Sequence, residues 1–156
     1  MQYIGVKIIH AEPMTVAEYN EQVRPLVYSG ECQDGYKVIC EDDYVSWSPK
    51  DVFEAAYRQT DGMTFGLAIE AMKKGFKVAR QGWNGKAMWI AISHPEANSL
   101  KAEGFWNKHS RKFAEENGGS ADVLPYIIMK TADNKILMGW LASQTDMLVE
   151  DWTIIE

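Results

Sequence analysis

The ten residues from Arg80 to Trp89, "RQGWNGKAMW", set two indoles six positions apart around an Asn-Gly pair, with Arg80 and Lys86 on either side. An indole face stacks on a nucleobase with about 1–3 kcal/mol per base, a side-chain amide reads a base or ribose edge, and a cation meets a phosphate. Arg80, Trp83, Asn84, Lys86 and Trp89 therefore read as one wall of a nucleotide pocket. Tryptophans at strand ends of a small β-rich domain also serve as core or interface residues, and residue types alone leave both readings open.

A second wall is offered by "GWLASQTDMLVEDW". Here Ser143, Gln144, Thr145 and Asp146 place four hydrogen-bonding side chains between Leu141 and Leu148. Vicinal ribose hydroxyls need both donors and acceptors, which this run supplies, and the same run suits a turn closed by a Ser or Asp cap. Trp83, Trp89, Trp106, Trp140 and Trp152 all fall after residue 61, with Tyr126 among them.

Other chemistries lack their residues. His10, His94 and His109 are scattered, and the chain has no H-E-x-x-H, no G-x-S-x-G and no glycine-rich phosphate loop ahead of a helix. No catalytic group, metal site or cofactor is expected. Cys32 and Cys40 have seven residues between them and no clustered histidine, so they read as two reduced thiols. The acidic "EDD" at 41–43 reads as a solvated turn. No apolar run approaches the roughly 18–20 residues that span a bilayer, and Met1 leads into a strand-like pattern, which makes the cytoplasm the expected location.

Net charge is −6, unevenly divided: residues 1–60 carry 5 basic and 10 acidic side chains, residues 61–156 carry 11 and 12. Affinity for DNA or RNA comes mainly from Lys and Arg on phosphates, so a polynucleotide is not the expected partner. A small phosphate-bearing ligand needs only one or two local cations.

The elements that must position these residues follow from periodicity. Residues 3–10 alternate as a strand, and Thr15 to Glu18 has capping-box spacing for a short helix. "YKVICE" and "YVSWS" form a hairpin across Asp42-Asp43, and Ser48-Pro49 reads as the cap and first residue of a helix over about 49–58, with Val52, Phe53, Ala56 and Tyr57 inward. The Asp61-Gly62 break marks a domain boundary within 59–63, giving an N-terminal module over 1–60 and a second domain over 61–156. There Thr64 caps a helix ending at Gly75, and "FKVARQGW" and "AMWIAIS" join at Asn84-Gly85, the dipeptide of a tight type I′ turn. "PYIIMKT" and "KILMGWL" turn at Asp133-Asn134, and "DWTIIE" closes the chain as a strand. The excursion over roughly 94–123 holds a helix from about Phe105 to Asn117, stopped by Gly118-Gly119. The expected class is α+β: a small antiparallel sheet with one or two packed helices, preceded by a small α+β module.

The segments "MTFGLAIEAMKKGFKVARQGWNGKAMWIAI" and "FWNKHSRKFAEENGGSADVLPYIIMKTADNKILMGWLASQTDMLVEDW", in that order, resemble a small domain common in tailed phages and prophages, the family of the second type of Thoeris anti-defence protein. The resemblance covers about residues 63–155. It implies a sponge that binds cyclic ADP-ribose-type signals of Thoeris defence, and in some members cyclic oligonucleotides of CBASS defence, without cleaving them. It also implies compact α+β subunits in homotetramers with ligand held between subunits, and it favours Trp83, Asn84, Trp140, Ser143 and Asp146 as pocket residues. Residues 1–58 resemble a different small phage family with no assigned function, which makes them an appended dimerisation or specificity element. Two further functions compete with the sponge: a hydrolase of the same cyclic nucleotide, and a module that binds a polypeptide through its aromatic surface.

Overall fold

The computed structural model describes residues 1, 6–26, 33–83, 85–94 and 96–155, and its internal contacts divide the chain into two units, Met1–Gln59 and Thr60–Glu156. Among the described residues the strands form three antiparallel sheets, of three, five and two strands, and with the helices between them the class is α+β.

In the first unit, β1 (His10–Pro13), β2 (Gly35–Ile39) and β3 (Val45–Pro49) carry two helices, α1 (Val16–Gln22) and α2 (Lys50–Ala56). The capping box starts α1 where the sequence places it: the Thr15 hydroxyl accepts from the Glu18 N–H at 3.2 Å, and the Glu18 carboxylate accepts from the Thr15 N–H at 2.8 Å. Tyr19, one turn in, is fully buried. Gly35 is required by its neighbours, since a Cβ there would lie 2.4 Å from both the Ser48 carbonyl and the Trp47 ring.

Two expectations for this unit are corrected. The first strand is His10–Pro13, not 3–10; residues 2–5 lie outside the described set and 6–9 have no regular structure. β1 pairs with β2 from Pro13↔Tyr36 to His10↔Ile39, and β2 itself ends at Ile39 ahead of the turn into β3, so the ladder stops there. The second concerns Ser48 and Pro49, which belong to β3. The helix starts at Lys50 with no side-chain cap, and the Lys50 N–H goes to the Asp34 carbonyl at 3.1 Å. None of the described α2 residues is buried, and Val52 is 57% exposed. Its packing comes from Phe53, stacked between Tyr36 at 4.2 Å and Tyr57 at 4.8 Å.

In the second unit, Thr64 caps α3 (Phe65–Lys73) by accepting from the Leu67 N–H, and Gly75 leaves it at φ +92°, a conformation glycine adopts without penalty. Then come β4 (Lys77–Arg80), β5 (Trp89–Ile92), β8 (Ile127–Lys130), β9 (Ile136–Met138), α5 (Gln144–Leu148) and β10 (Trp152–Ile155). The register aligns Ile154, Val78, Ile90 and Met129 across four strands, and on that face Ala68 and Met72 of α3 close the main core. Residues at alternate positions, Thr153 with Ala79 and Trp89 with Lys130, occupy the opposite face. The segment before α3 pairs outside β10: Met63 and Trp152 exchange both backbone bonds, and Ile154 donates to Thr60 at 2.9 Å.

The long excursion builds a satellite. β6 (Asn98–Lys101) and β7 (Ser120–Val123) pair, and α4 (Lys108–Glu116) packs Ala114 with Ala102, Ala121 and Phe105. That helix begins three residues later than the sequence indicated, because the Asn107 side chain accepts from the His109 and Ser110 N–H groups. The hairpin at Asp133-Asn134 forms, with Asn134 at φ +61°. The tight turn at Asn84-Gly85 does not join β4 to β5 directly: Asn84 lies outside the described residues, and Gln81–Trp83 form a 3-10 turn. Gln81 donates its N–H to the Asp151 carbonyl, which turns the chain toward β10 and leaves Val78↔Ile90 as the paired position of β4 and β5.

No helix among the described residues is long and apolar enough to cross a membrane.

Candidate functional site

The aromatic residues of the sequence reading separate into two places. Trp83 and Trp140 pack beside the main core with Trp152, each pair edge to face: Trp83 to Trp152 at 5.5 Å, Trp140 to Trp152 at 6.3 Å and Trp83 to Trp140 at 6.4 Å. Phe65, the first residue of α3, completes the group at 5.4 Å from Trp152. Edge-to-face packing suits the ring quadrupoles and adds about 0.5–1.5 kcal/mol per pair beyond burial. Trp83 and Trp140 remain half-buried, whereas Trp152 is fully enclosed.

Trp89 is elsewhere. It lies in β5 on the opposite sheet face, directly across from Lys130. Tyr126 packs its ring against His94 at 6.1 Å and donates its N–H to the Ser93 hydroxyl at 3.1 Å. The two indoles of "RQGWNGKAMW" are six positions apart, and the sheet itself comes between their side chains.

Arg80 sits beside the indole cluster and is bound on three nitrogens. Nη1 donates to Asp146 Oδ1 at 2.8 Å, Nε to Asp151 Oδ1 at 2.9 Å and Nη2 to Asp151 Oδ2 at 3.2 Å. The bidentate fork to Asp151 is the strong geometry for guanidinium and carboxylate. These side chains are 14%, 15% and 27% exposed for Arg80, Asp146 and Asp151. Asp151 holds Arg80 strongly protonated, and Arg80 in turn holds the Asp151 carboxyl below its ordinary range. Burial pushes the Asp146 carboxyl up, but hydrogen bonds from Ser143 and Arg80 more than offset this and leave it lowered.

Ser143 and Asp146 are the capping box of α5: the Ser143 hydroxyl donates to Asp146 Oδ2 at 2.6 Å and accepts from the Asp146 N–H at 3.1 Å. The Asp146 carbonyl accepts from the Trp152 indole N–H at 2.9 Å. One carboxylate thus starts α5, docks it on Arg80, and sits next to the carbonyl that satisfies the buried indole. Lys86 is exposed beyond the turn, its N–H directed at the Trp83 carbonyl, and Asn84 lies outside the described residues.

The structure therefore brings together Arg80, Trp83, Trp140, Ser143 and Asp146, and it leaves Trp89 and Tyr126 apart from them. The sequence reading missed Asp151, Trp152 and Phe65 as members of this group. Asp151 was readable only as an acid ahead of the last strand, because its match with Arg80 depends on the β10–β4 register. Among the described residues no group of three or more His, Cys, Asp or Glu side chains is placed to hold a metal ion. In the first unit, a cleft of about 370 Å3 lined by Glu18, Asp34, Tyr36 and Lys50 has more acids than cations and suits a phosphate poorly.

The geometry sets an expectation for Trp83→Ala. Two edge-to-face contacts are lost from a half-buried position, so the C-terminal unit should lose about 2 kcal/mol in urea unfolding. A change below about 0.5 kcal/mol would mean that the ring contributes nothing to the packing.

Residues 63–155 match the family described as Tad2-like, the Thoeris anti-defense 2-like domain. Over 93 residues the chain is 41% identical to Thoeris anti-defense 2 of Bacillus phage SP01, a match that covers 60% of this chain and 94% of that protein.

Proposed function

The chain belongs to the Thoeris anti-defense 2-like family through residues 63–155, and from that premise we propose that it is a phage anti-defence protein that acts as a sponge. It binds cyclic nucleotide immune signals, cyclic ADP-ribose isomers first and cyclic oligonucleotides second, and keeps them from their effectors without cleaving them. The observation that carries this reading is the 41% identity to an anti-defence protein along 94% of that protein's length. The family match over residues 63–155 includes every strand of the five-stranded sheet and the whole Arg80, Trp83, Trp140 and Asp146 group.

The ligand wall is the outer side of the Trp83 turn. Trp83 keeps part of its ring accessible, and Lys86 stands exposed just beyond it, where a phosphate edge would lie. Arg80 has a different role in this reading. Its charge is already matched by two carboxylates, so it holds the turn and α5 in place while the exposed Lys86 supplies the cation for the ligand. The protein works as a homotetramer built from dimers, with ligand held between copies in the host cell cytoplasm.

The test is direct. The protein is incubated with cyclic ADP-ribose isomers and with cyclic dinucleotides, filtered, denatured by heat, and the released small molecules are analysed. Ligand depleted before heating and recovered intact after it is the expected result. Recovery of a cleaved product identifies a hydrolase, and no depletion at any stage leaves a protein partner as the target. A companion measurement separates the two cations: Lys86→Ala should weaken binding about fivefold and flatten its salt dependence, with the melting temperature unchanged.

The first unit is proposed to be a separable module. A chain starting at Thr60 should remain folded and bind as the full chain does, since the main core lies within the second unit. Loss of the cooperative unfolding transition in that shortened chain would show that the two units depend on each other.

A further inference from the structure

We infer that strand β9 is a self-pairing edge, through which two copies of this chain join their five-stranded sheets into one. The sheet order β10-β4-β5-β8-β9 leaves β10 and β9 as its margins, and the chain treats them differently. β10 is covered by the segment at 60–63, through the bonds of Met63 with Trp152 and of Ile154 with Thr60. β9 instead presents Ile136, Leu137 and Met138 at 54%, 46% and 51% exposure. Soluble proteins protect such margins with short strands, proline, bulges or inward charges; β9 is short, three residues, but all three are apolar and their register is unbroken, which leaves them able to template another strand. The nearest charge, Lys135, is tied back to Asp133 at 2.7 Å.

The backbone fixes which groups are offered. Thr131 donates its N–H to the Lys135 carbonyl at 2.8 Å, so that position is a hydrogen-bonded pair of the β8–β9 hairpin. Antiparallel ladders alternate, which makes Met129↔Leu137 the next bonded pair and puts Lys130↔Ile136 and Ile128↔Met138 in non-bonded positions. The N–H and C=O of Ile136 and Met138 therefore point away from the sheet, and those of Leu137 point into it.

A twofold axis through Leu137 satisfies all of them. It sets Ile136 of one copy against Met138 of the other, each giving one donor and one acceptor, and it sets Leu137 against its own counterpart. The same register brings Lys135 opposite Gly139, so no like charges meet and no side chain obstructs the lysine. A second copy is the occupant that this pattern fits, because the short run Lys-Ile-Leu-Met-Gly matches itself when reversed: charge against glycine, apolar against apolar. Leu141, three residues beyond the strand, is a further exposed apolar side chain at its end, 88% accessible.

This inference rests on the oligomeric part of the proposed function and gives it a contact. The test uses the full chain with Cys32→Ser and Cys40→Ser. Leu137→Cys and Ile136→Cys are compared under mild oxidation, and Leu137→Lys is compared with the parent by sedimentation. A non-bonded antiparallel pair brings its Cα atoms to about 4.5 Å, within disulfide reach, whereas Ile136 and its own counterpart are offset along the strand. Leu137→Cys should form a covalent dimer at least tenfold more completely than Ile136→Cys, and Leu137→Lys should halve the sedimenting mass. An oligomer that survives Leu137→Lys and gives no Leu137→Cys cross-link overturns the β9 contact while leaving self-association intact. A parent chain that sediments as a monomer overturns both.

Discussion

Trp152→Ala is expected to lower the stability of the C-terminal unit by about 3–5 kcal/mol, the range for removing a large aromatic from a core. The ring is fully enclosed, meets Phe65, Trp83 and Trp140 within 5.4 to 6.3 Å, and is held by the bond from its indole N–H to the Asp146 carbonyl. Trp152→Phe keeps most of the packing and removes that bond, so it should cost far less, about 1–2 kcal/mol. Urea unfolding followed by circular dichroism measures both. Equal losses in the two variants would mean that the hydrogen bond, and not the packing, carries the position.

The second large effect belongs to Arg80→Ala, expected to cost about 2–4 kcal/mol because it leaves two partly buried carboxylates without their cation. Arg80→Lys should recover only part of this, since an ammonium cannot form the bidentate fork to Asp151 together with the contact to Asp146. The acid dependence gives an independent check. Both carboxyls titrate lower in the folded chain than in the unfolded one, so their contribution is complete above the ordinary carboxylate range near about pH 4 and is lost as pH falls below it. The parent should therefore lose stability between about pH 5 and pH 2 more steeply than Arg80→Ala does. Parallel pH profiles for the two proteins would remove the ion-pair account of Arg80.

These outcomes depend on contacts that the sequence displays unevenly. Elements whose signals are local were legible: Thr15 with Glu18 at the start of α1, Thr64 and Gly75 at the ends of α3, Asn134 in its left-handed turn. Each is decided within four or five residues, where capping and turn chemistry act. The segment from Arg80 to Trp89 was misread for the opposite reason. Asn-Gly is a strong hairpin signal, but the Asp151 backbone and side chain, some seventy positions away, capture Gln81 and Arg80 and set the path of the turn. Ser48 shows the same competition: cap chemistry favours a helix start there, and pairing with Tyr36 keeps it in β3.

The candidate site was legible as a composition and not as a place. Indoles and a cation within ten residues suggested one surface, and the strand alternation of β5 then sent Trp89 to the far face. Ser143 and Asp146 offer a hydroxyl and a carboxylate suited to a ribose, and they bond first to each other and to Arg80. Side chains that can recognise a ligand can equally recognise their own chain, and only the fold decides which.

The strap outside β10 has a further consequence for how this unit can be rearranged. Thr60 at the start of the second unit is bonded to Ile154 of β10, so the segment that leads into α3 lies antiparallel beside the last strand. A domain whose ends meet in this way is a closed loop in all but one peptide bond, and the exposed turn at Asp133-Asn134 is a place to open it instead. A circular permutant with a short linker from Ile155 to Thr60 and new ends at that turn keeps every strand neighbour of the five-stranded sheet. It also places the new ends beside β9, where a foreign tail would hinder a second copy from docking.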